Sequence, residues 1–193
     1  MAKKLVTLLI VALILCSVWH VGGAVKIYAK ACLAQALLER AWQRTLKGEK
    51  KVRPWPWADT WPIAELSVPR LGIRQIVLSG DSGRVLAFSP GHTQASATPG
   101  KPGVTVISGH RDTSFNFLQK IKSNDRVRLK TYSGSYVYVV NELSVVDQRD
   151  FQLDPLASNP SLMLVTCYPF DALRSGGNER FLVFATLANH DAL

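Results

Sequence analysis

Three side chains in this sequence suit acyl transfer: a thiol at Cys167, an imidazole at His110 and a guanidinium at Arg180. Each stands at one end of an apolar run. His110 closes GVTVISGH, Cys167 closes LMLVTC, and Arg180 opens RFLVFA. A thiolate beside an imidazole supplies a nucleophile and an acid that protonates a leaving amine. Arginine keeps its charge and can hold a carbonyl oxygen on which negative charge develops. Singly, each residue has a plainer reading. A strand cysteine is often inert core, and His110 beside Arg111 and Asp112 also suits a structural hydrogen bond. Spacing alone does not bring the three together.

The elements that must position these groups are read from periodicity. Leu162, Met163, Leu164 and Val165 form an unbroken apolar run bounded by turn residues, the mark of a strand covered on both faces. Pro169 has no N–H to donate, so pairing is expected to stop there and leave Cys167 at a rim. Gly109 is expected to permit a sharp turn at His110. Strands are expected at 63–68, 74–78, 104–108, 126–131, 136–143, 162–167 and 181–187. VRLKTYSGSYVYVV reads as a hairpin turning at Ser133 and Gly134, and 115–121 as one short helical turn. Many short strands, Gly/Pro turns and little helix indicate a mainly β fold, a closed β-barrel rather than a sandwich.

The N-terminal arm has a different character. Between Lys4 and Lys26 lie 21 uncharged residues, close to the ~20 that cross the hydrocarbon core as a helix. Trp19 and Tyr28 sit where interfacial aromatics are expected. Lys3 and Lys4 favour a cytoplasmic N-terminus, although Lys26, Lys30 and Arg40 weaken the bias. Residues 1–28 therefore read as a cytoplasmic tip and a transmembrane anchor, with residues 5–28 in the lipid bilayer. Ala29-Lys30-Ala31 also fits a signal-cleavage site, but the apolar region is long for a signal peptide and the site lies well past its end. Leu15 is too bulky for lipoprotein processing at Cys16, which reads as a membrane-buried thiol.

Residues 29–53 read as a basic helical arm with apolar Leu33, Leu37, Trp42 and Leu46, stopped at Gly48. Cys32 is a small packing residue there. Residues 54–62 are a Pro/Trp-rich linker in which Trp55, Trp57 and Trp61 are expected to bury their rings. Residues 63–193 form the barrel domain.

Composition excludes other classes. The net charge of the 193 residues is +9, but residues 1–53 carry +8 of it and residues 54–193 only +1. Nucleic-acid binding calls for basic residues on the folded domain, so no nucleic-acid partner is expected. Cys16, Cys32 and Cys167 make no disulfide framework and no zinc-type Cys/His spacing, so no metal is expected. His20 and His190 lie in the span and the tail and are assigned no function.

From about residue 55 to residue 187 the chain resembles the sortases, membrane-anchored cysteine transpeptidases with a β-barrel fold. SATPGKPGVTVISGHRDTSF, LVTCYPF and RFLVFA carry the resemblance, in the order His, Cys, Arg. PWPWADTWPIAEL and AFSPGHTQASATPG look like the sortase subgroup of Gram-negative proteobacteria. The resemblance implies that His110, Cys167 and Arg180 take the catalytic positions. Arg174, in a Ser/Gly-rich loop, fits less well than Arg180.

The resemblance further implies a membrane-delivered protein substrate with an LPxTG-like C-terminal sorting signal, and an amine acceptor. The domain would face the periplasm from the inner membrane. No cofactor is implied: calcium assists some sortases, but the acidic cluster for it is not evident here. His92, Asp112 and Thr166 are further candidates for substrate contact. His92 is also a second candidate base or a structural residue, and Asp112 either orients His110 or caps the turn that follows. Two rival functions are a thiol endopeptidase that only hydrolyses and a catalytically silent, membrane-tethered β-domain that binds peptide.

Overall fold

A computed structural model describes residues 2–149, 159–172 and 176–191. The chain divides into two compact units, Met1–Leu37 and Leu38–Leu193. One uninterrupted helix, α1 (Ala2–Leu46), runs through the first and opens the second. It contains no proline and is rich in Ala and Leu, both strong helix formers. In the first unit exposed Leu5, Leu8, Leu9, Ile10 and Val11 point in every direction about the axis, so the helix is apolar all round. It is long and apolar enough to cross a membrane.

The helix ends as its sequence predicts. Gly48 adopts a left-handed φ of 92°. Its N–H bonds the Thr45 carbonyl, and the Glu49 N–H bonds that of Arg44. This pair of bonds satisfies two carbonyls that the last turn leaves open.

Within the second unit, Leu38 and Trp42 of α1 pack fully buried against Ile76, Leu78 and Val85, with Ala41 and Thr45 buried on the same stretch. The expected stripe differs here. Leu33 is 60% exposed, and small Ala41 and Thr45 take places that a search for large apolar residues passes over.

Eight strands close into a barrel: β1 (Pro62–Val68), β2 (Ile73–Ser79), β3 (Gly91–His92), β4 (Val104–Ser108), β5 (Arg126–Thr131), β6 (Gly134–Asp147), β7 (Ser161–Cys167) and β8 (Glu179–Asp191). Their order around the barrel is β1-β2-β3-β4-β7-β8-β6-β5, and β5 pairs back onto β1. The interior fills by alternation: Ala64, Leu66 and Val68 of β1 meet Val127, Leu129, Tyr136, Tyr138, Leu162, Leu164 and Val183. A 3-10 helix at Asn116–Lys120 contributes Phe117 and Leu118 to the same core.

Two sequence expectations shift. The β5–β6 loop consists of Tyr132 and Ser133, because Thr131 pairs with Gly134. Core packing sets that register: Leu129 must face Tyr136, and Val127 must face Tyr138. The linker tryptophans also do not all bury. Trp55 packs edge-on to Phe88 with centroids 4.8 Å apart, and Trp61 lies under the Lys51 ammonium at 5.2 Å. Trp57 is 83% exposed.

Candidate active site

Strand β7 runs through the sheet with β4 parallel on one side and β8 antiparallel on the other. Its two faces go to different places. Leu162 and Leu164 enter the barrel core, whereas Met163 packs outside with Val106 and Leu182, and Val104, Val146, Val165 and Phe184 lie against that cluster. Counting on by twos puts Thr166 on the inner face and Cys167 on the outer one.

The same parity applies to the neighbours. Arg180 is the direct register partner of Cys167, on the outer face with Leu182 and Phe184. Ser108 of β4 is level with Val165, and the Gly109 N–H continues the pairing by bonding the Val165 carbonyl at 3.1 Å. The Thr166 hydroxyl then donates to the Gly109 carbonyl at 2.8 Å. Extended two residues beyond the end of β4, this register would put His110 level with Cys167. Cys167 and Arg180 thus stand on the outer face of adjacent strands, and His110 follows the neighbouring strand at the same rim.

Exposure suits chemistry: His110 is exposed, and Cys167 and Arg180 are half-buried. The Arg180 guanidinium donates to the carbonyls of Gly177 at 2.7 Å and Glu179 at 2.8 Å, and to the side-chain oxygen of Gln148. Asp147 is held ionised down to about pH 2, first by its hydrogen bonds from the Arg149 side chain and backbone and, more weakly, by Arg180. The rim is therefore rich in fixed charge.

Gly109 has a reason other than the sharp turn expected of it. A Cβ there would lie 2.6 Å from the Phe115 ring, which is fully buried. The bonds from the Phe115 and Thr113 N–H groups to the His110 carbonyl, at 2.9 and 3.3 Å, close the turn beneath this ring. Below the other side of the rim, Tyr168, Phe170 and Phe181 form an aromatic group, with Phe170 and Phe181 packed on the barrel core.

The remaining candidates are placed as follows. His92 is buried on β3, opposite Ile107, which is level with Leu164 rather than Cys167. Its Nε2 lies 3.0 Å from the Ala97 carbonyl and 3.2 Å from the Ser96 hydroxyl, so it closes its own loop and does not join the rim. Thr166 is buried with its hydroxyl committed to Gly109, which makes it a clip between the His110 and Cys167 strands.

Asp112 is exposed and paired with Arg111 at 2.8 Å. Its pKa is held below the ordinary carboxylate range, mainly by that hydrogen bond, with His110 contributing a smaller attraction. It does not cap the 3-10 helix, whose N-cap is Phe115 without a side-chain bond. Arg174 lies outside the described residues. Sequence reading missed Arg111, which is buried and bonded to the loop after Cys167, and Gln148, which holds Arg180. Only their company beside a candidate residue or strand end pointed to them.

Residues 66–188, more than half of the chain, match the sortase domain family. The chain belongs to the sortases. Sortase D of Bacillus subtilis (strain 168) is 28% identical over 120 residues, which span 62% of this chain and 60% of that protein. Among solved structures, a Clostridium perfringens sortase D5 transpeptidase shares the fold with a TM-score of 0.67 at 23% identity, covering 82% of this chain and 99% of that one. Sortase C1 of Streptococcus agalactiae is similar at 28% identity and a TM-score of 0.58, over 67% of this chain and 69% of that one. Sortases are cysteine transpeptidases. In this sortase Cys167 and Arg180 are register partners on neighbouring strands of the matched region, and His110 lies two residues past the end of the adjoining strand β4.

Proposed function

We propose that this sortase is anchored through residues 5–28 in the inner membrane, with its barrel in the periplasm. Cys167 cleaves an LPxTG-like C-terminal sorting signal through a thioester and passes the acyl group to an amine. The observation that supports this best is the shared rim: Cys167 and its register partner Arg180 on one outer face, with His110 just past the end of neighbouring β4. Half-buried Val104, Val165 and Phe184 leave apolar surface on the same face, and an extended peptide held there presents a backbone carbonyl to the sulfur.

The chemistry follows from the residue types. The Cys167 thiolate attacks the threonine carbonyl, and Arg180 stabilises the negative charge that develops on oxygen. His110 gives a proton to the glycine nitrogen, the C–N bond breaks, and an acyl thioester remains on Cys167. An incoming amine adds to the thioester and loses a proton to His110, and the thiolate departs as the new amide forms. To serve the oxyanion, Arg180 exchanges its bond to Gln148 for one to substrate.

The inner-membrane and periplasmic setting is supported by the phrases PWPWADTWPIAEL and AFSPGHTQASATPG, similar to Gram-negative sortases, and by the apolar helix. Anchoring confines enzyme and membrane-delivered substrate to one surface, which raises their rate of encounter.

The test is intact-mass analysis of the full chain in detergent micelles, incubated with LPxTG peptides beside Cys167→Ala. An acyl adduct is expected on the wild type and none on the variant, with an added amine appearing in the released product. Product carrying water alone, even with amine present, would identify a hydrolytic thiol endopeptidase. Folded wild-type protein that neither forms an adduct nor cleaves any peptide of the series overturns the proposal.

A further inference from the structure

Arg111 is a permanent cation whose side chain is only 8% exposed. Such a group is stable in a folded domain only when its donors are used. They are used on the chain that leaves Cys167. Nη1 donates to the Pro169 carbonyl at 2.6 Å, Nη2 to the Ala172 carbonyl at 3.0 Å, and Nε to Asp112 at 2.8 Å. Its pKa is raised above the ordinary arginine value, first by the Asp112 hydrogen bond and then by nearby charge that includes Cys167 and Asp171.

The topology gives these bonds a particular role. The β4–β7 pairing ends with the Gly109 N–H on Val165 and the Thr166 hydroxyl on Gly109. Beyond that level, among the described residues, both hydrogen bonds between segments 110–115 and 167–172 come from Arg111. His110 immediately precedes it. Pro169 and Ala172 follow Cys167 by a few residues. A planar fork reaching two carbonyls fixes direction as well as distance, which a lysine ammonium does not.

We propose that Arg111 is a positioning residue: its buried fork ties the His110 turn to the exit loop of Cys167 and so sets the separation of imidazole and sulfur. This rests on the roles given above to His110 and Cys167. Arg111 touches neither substrate nor the reacting atoms in this scheme. Misplacement of a reacting group by about 1 Å costs on the order of 10²-fold in rate.

The test uses the full chain in detergent micelles, in a Cys16→Ser, Cys32→Ser background that leaves Cys167 as the sole thiol. Two variants are compared with it, Arg111→Lys and Arg111→Ala. The first readout is acylation by an LPxTG peptide. Arg111→Lys is expected to lose at least about 30-fold in the acylation rate, with KM changed less than about threefold. Ethylguanidinium is expected to restore part of the rate to Arg111→Ala and none to Arg111→Lys.

The second readout needs no peptide. 1,3-Dibromoacetone alkylates Cys167 with loss of one bromide, then the His110 imidazole with loss of the other, only when the two groups are held close. Both variants are expected to take one alkylation readily and to cross-link at least about fivefold less than the parent.

The proposal is overturned if folded Arg111→Lys acylates and cross-links like the parent, or if losses in both variants merely track the loss of folded protein by circular dichroism. A parent that cross-links but forms no acyl adduct refutes the transpeptidase assignment alone, and cross-linking in the variants then decides the case of Arg111. A parent that does neither refutes both.

Discussion

The outer surface of the barrel carries two apolar strips that are treated differently. On β2, Ile76 and Leu78 are covered by the chain's own helix: Leu38 and Trp42 lie on them with no exposure at all. The Trp42 indole N–H also donates to Glu65 at 3.1 Å, and Arg74 bridges Glu65 at 2.7 Å and Glu39 at 3.1 Å. On β4, β7 and β8, Val106, Met163 and Leu182 are buried too, but Val104, Val165 and Phe184 around them stay half-buried, and the face ends at a half-buried thiol. The first strip is sealed and has polar locks on its edge. The second has His110 and Arg180 at one end, near the sulfur. Equal hydrophobicity thus serves stability in one place and, on our proposal, peptide binding in the other.

Three substitutions break or sharpen this contrast. Trp42→Ala empties the sealed strip and is expected to cost about 3–5 kcal/mol in denaturant unfolding. The acylation rate per folded molecule should stay unchanged. A selective loss of acylation would show that the two strips are coupled. Val165→Ala trims the half-buried strip. It should raise KM for an LPxTG peptide about fivefold, near 1 kcal/mol, while the unfolding midpoint barely moves. The reverse pattern would make Val165 an ordinary packing residue.

The smallest effect concerns the lock. The Glu39 pKa is lowered, chiefly by its hydrogen bond from Arg74. A lowered folded pKa contributes stability above the ordinary glutamate range, and this is lost as pH falls through the folded value. With a side chain 39% exposed, the contribution is under about 1 kcal/mol. Glu39→Gln should remove that part of the acid sensitivity between about pH 7 and about pH 3 in denaturant titrations. An unchanged pH profile would show that the pair is idle.

The faces on which the three candidate residues stand were legible in advance because strands have a period of two. His110, Cys167 and Arg180 each lie an even number of residues from an outward neighbour, Ser108, Val165 or Leu182, so each strand's own alternation assigns its face. Strand β3 was not legible. Gly91 and His92 are too short to show periodicity, and their place comes from Leu78 and Ile107 on either side. His92 looked like a candidate base because an isolated histidine shows nothing of the Ala97 carbonyl and Ser96 hydroxyl that occupy it. Gly109 looked like a turn residue, and its real constraint is a ring contributed by Phe115.

Local pattern was enough for the long apolar helix and for seven of the strands, since each of these depends on neighbours in the chain. Arg111 marks the limit of that kind of reading. A charged residue between a histidine and an aspartate reads as solvated, and Arg111 is buried because two carbonyls, 58 and 61 residues further on, meet its guanidinium. Burial of a charge depends on finding distant partners, and strand pairing across the closed barrel is what brings them within reach.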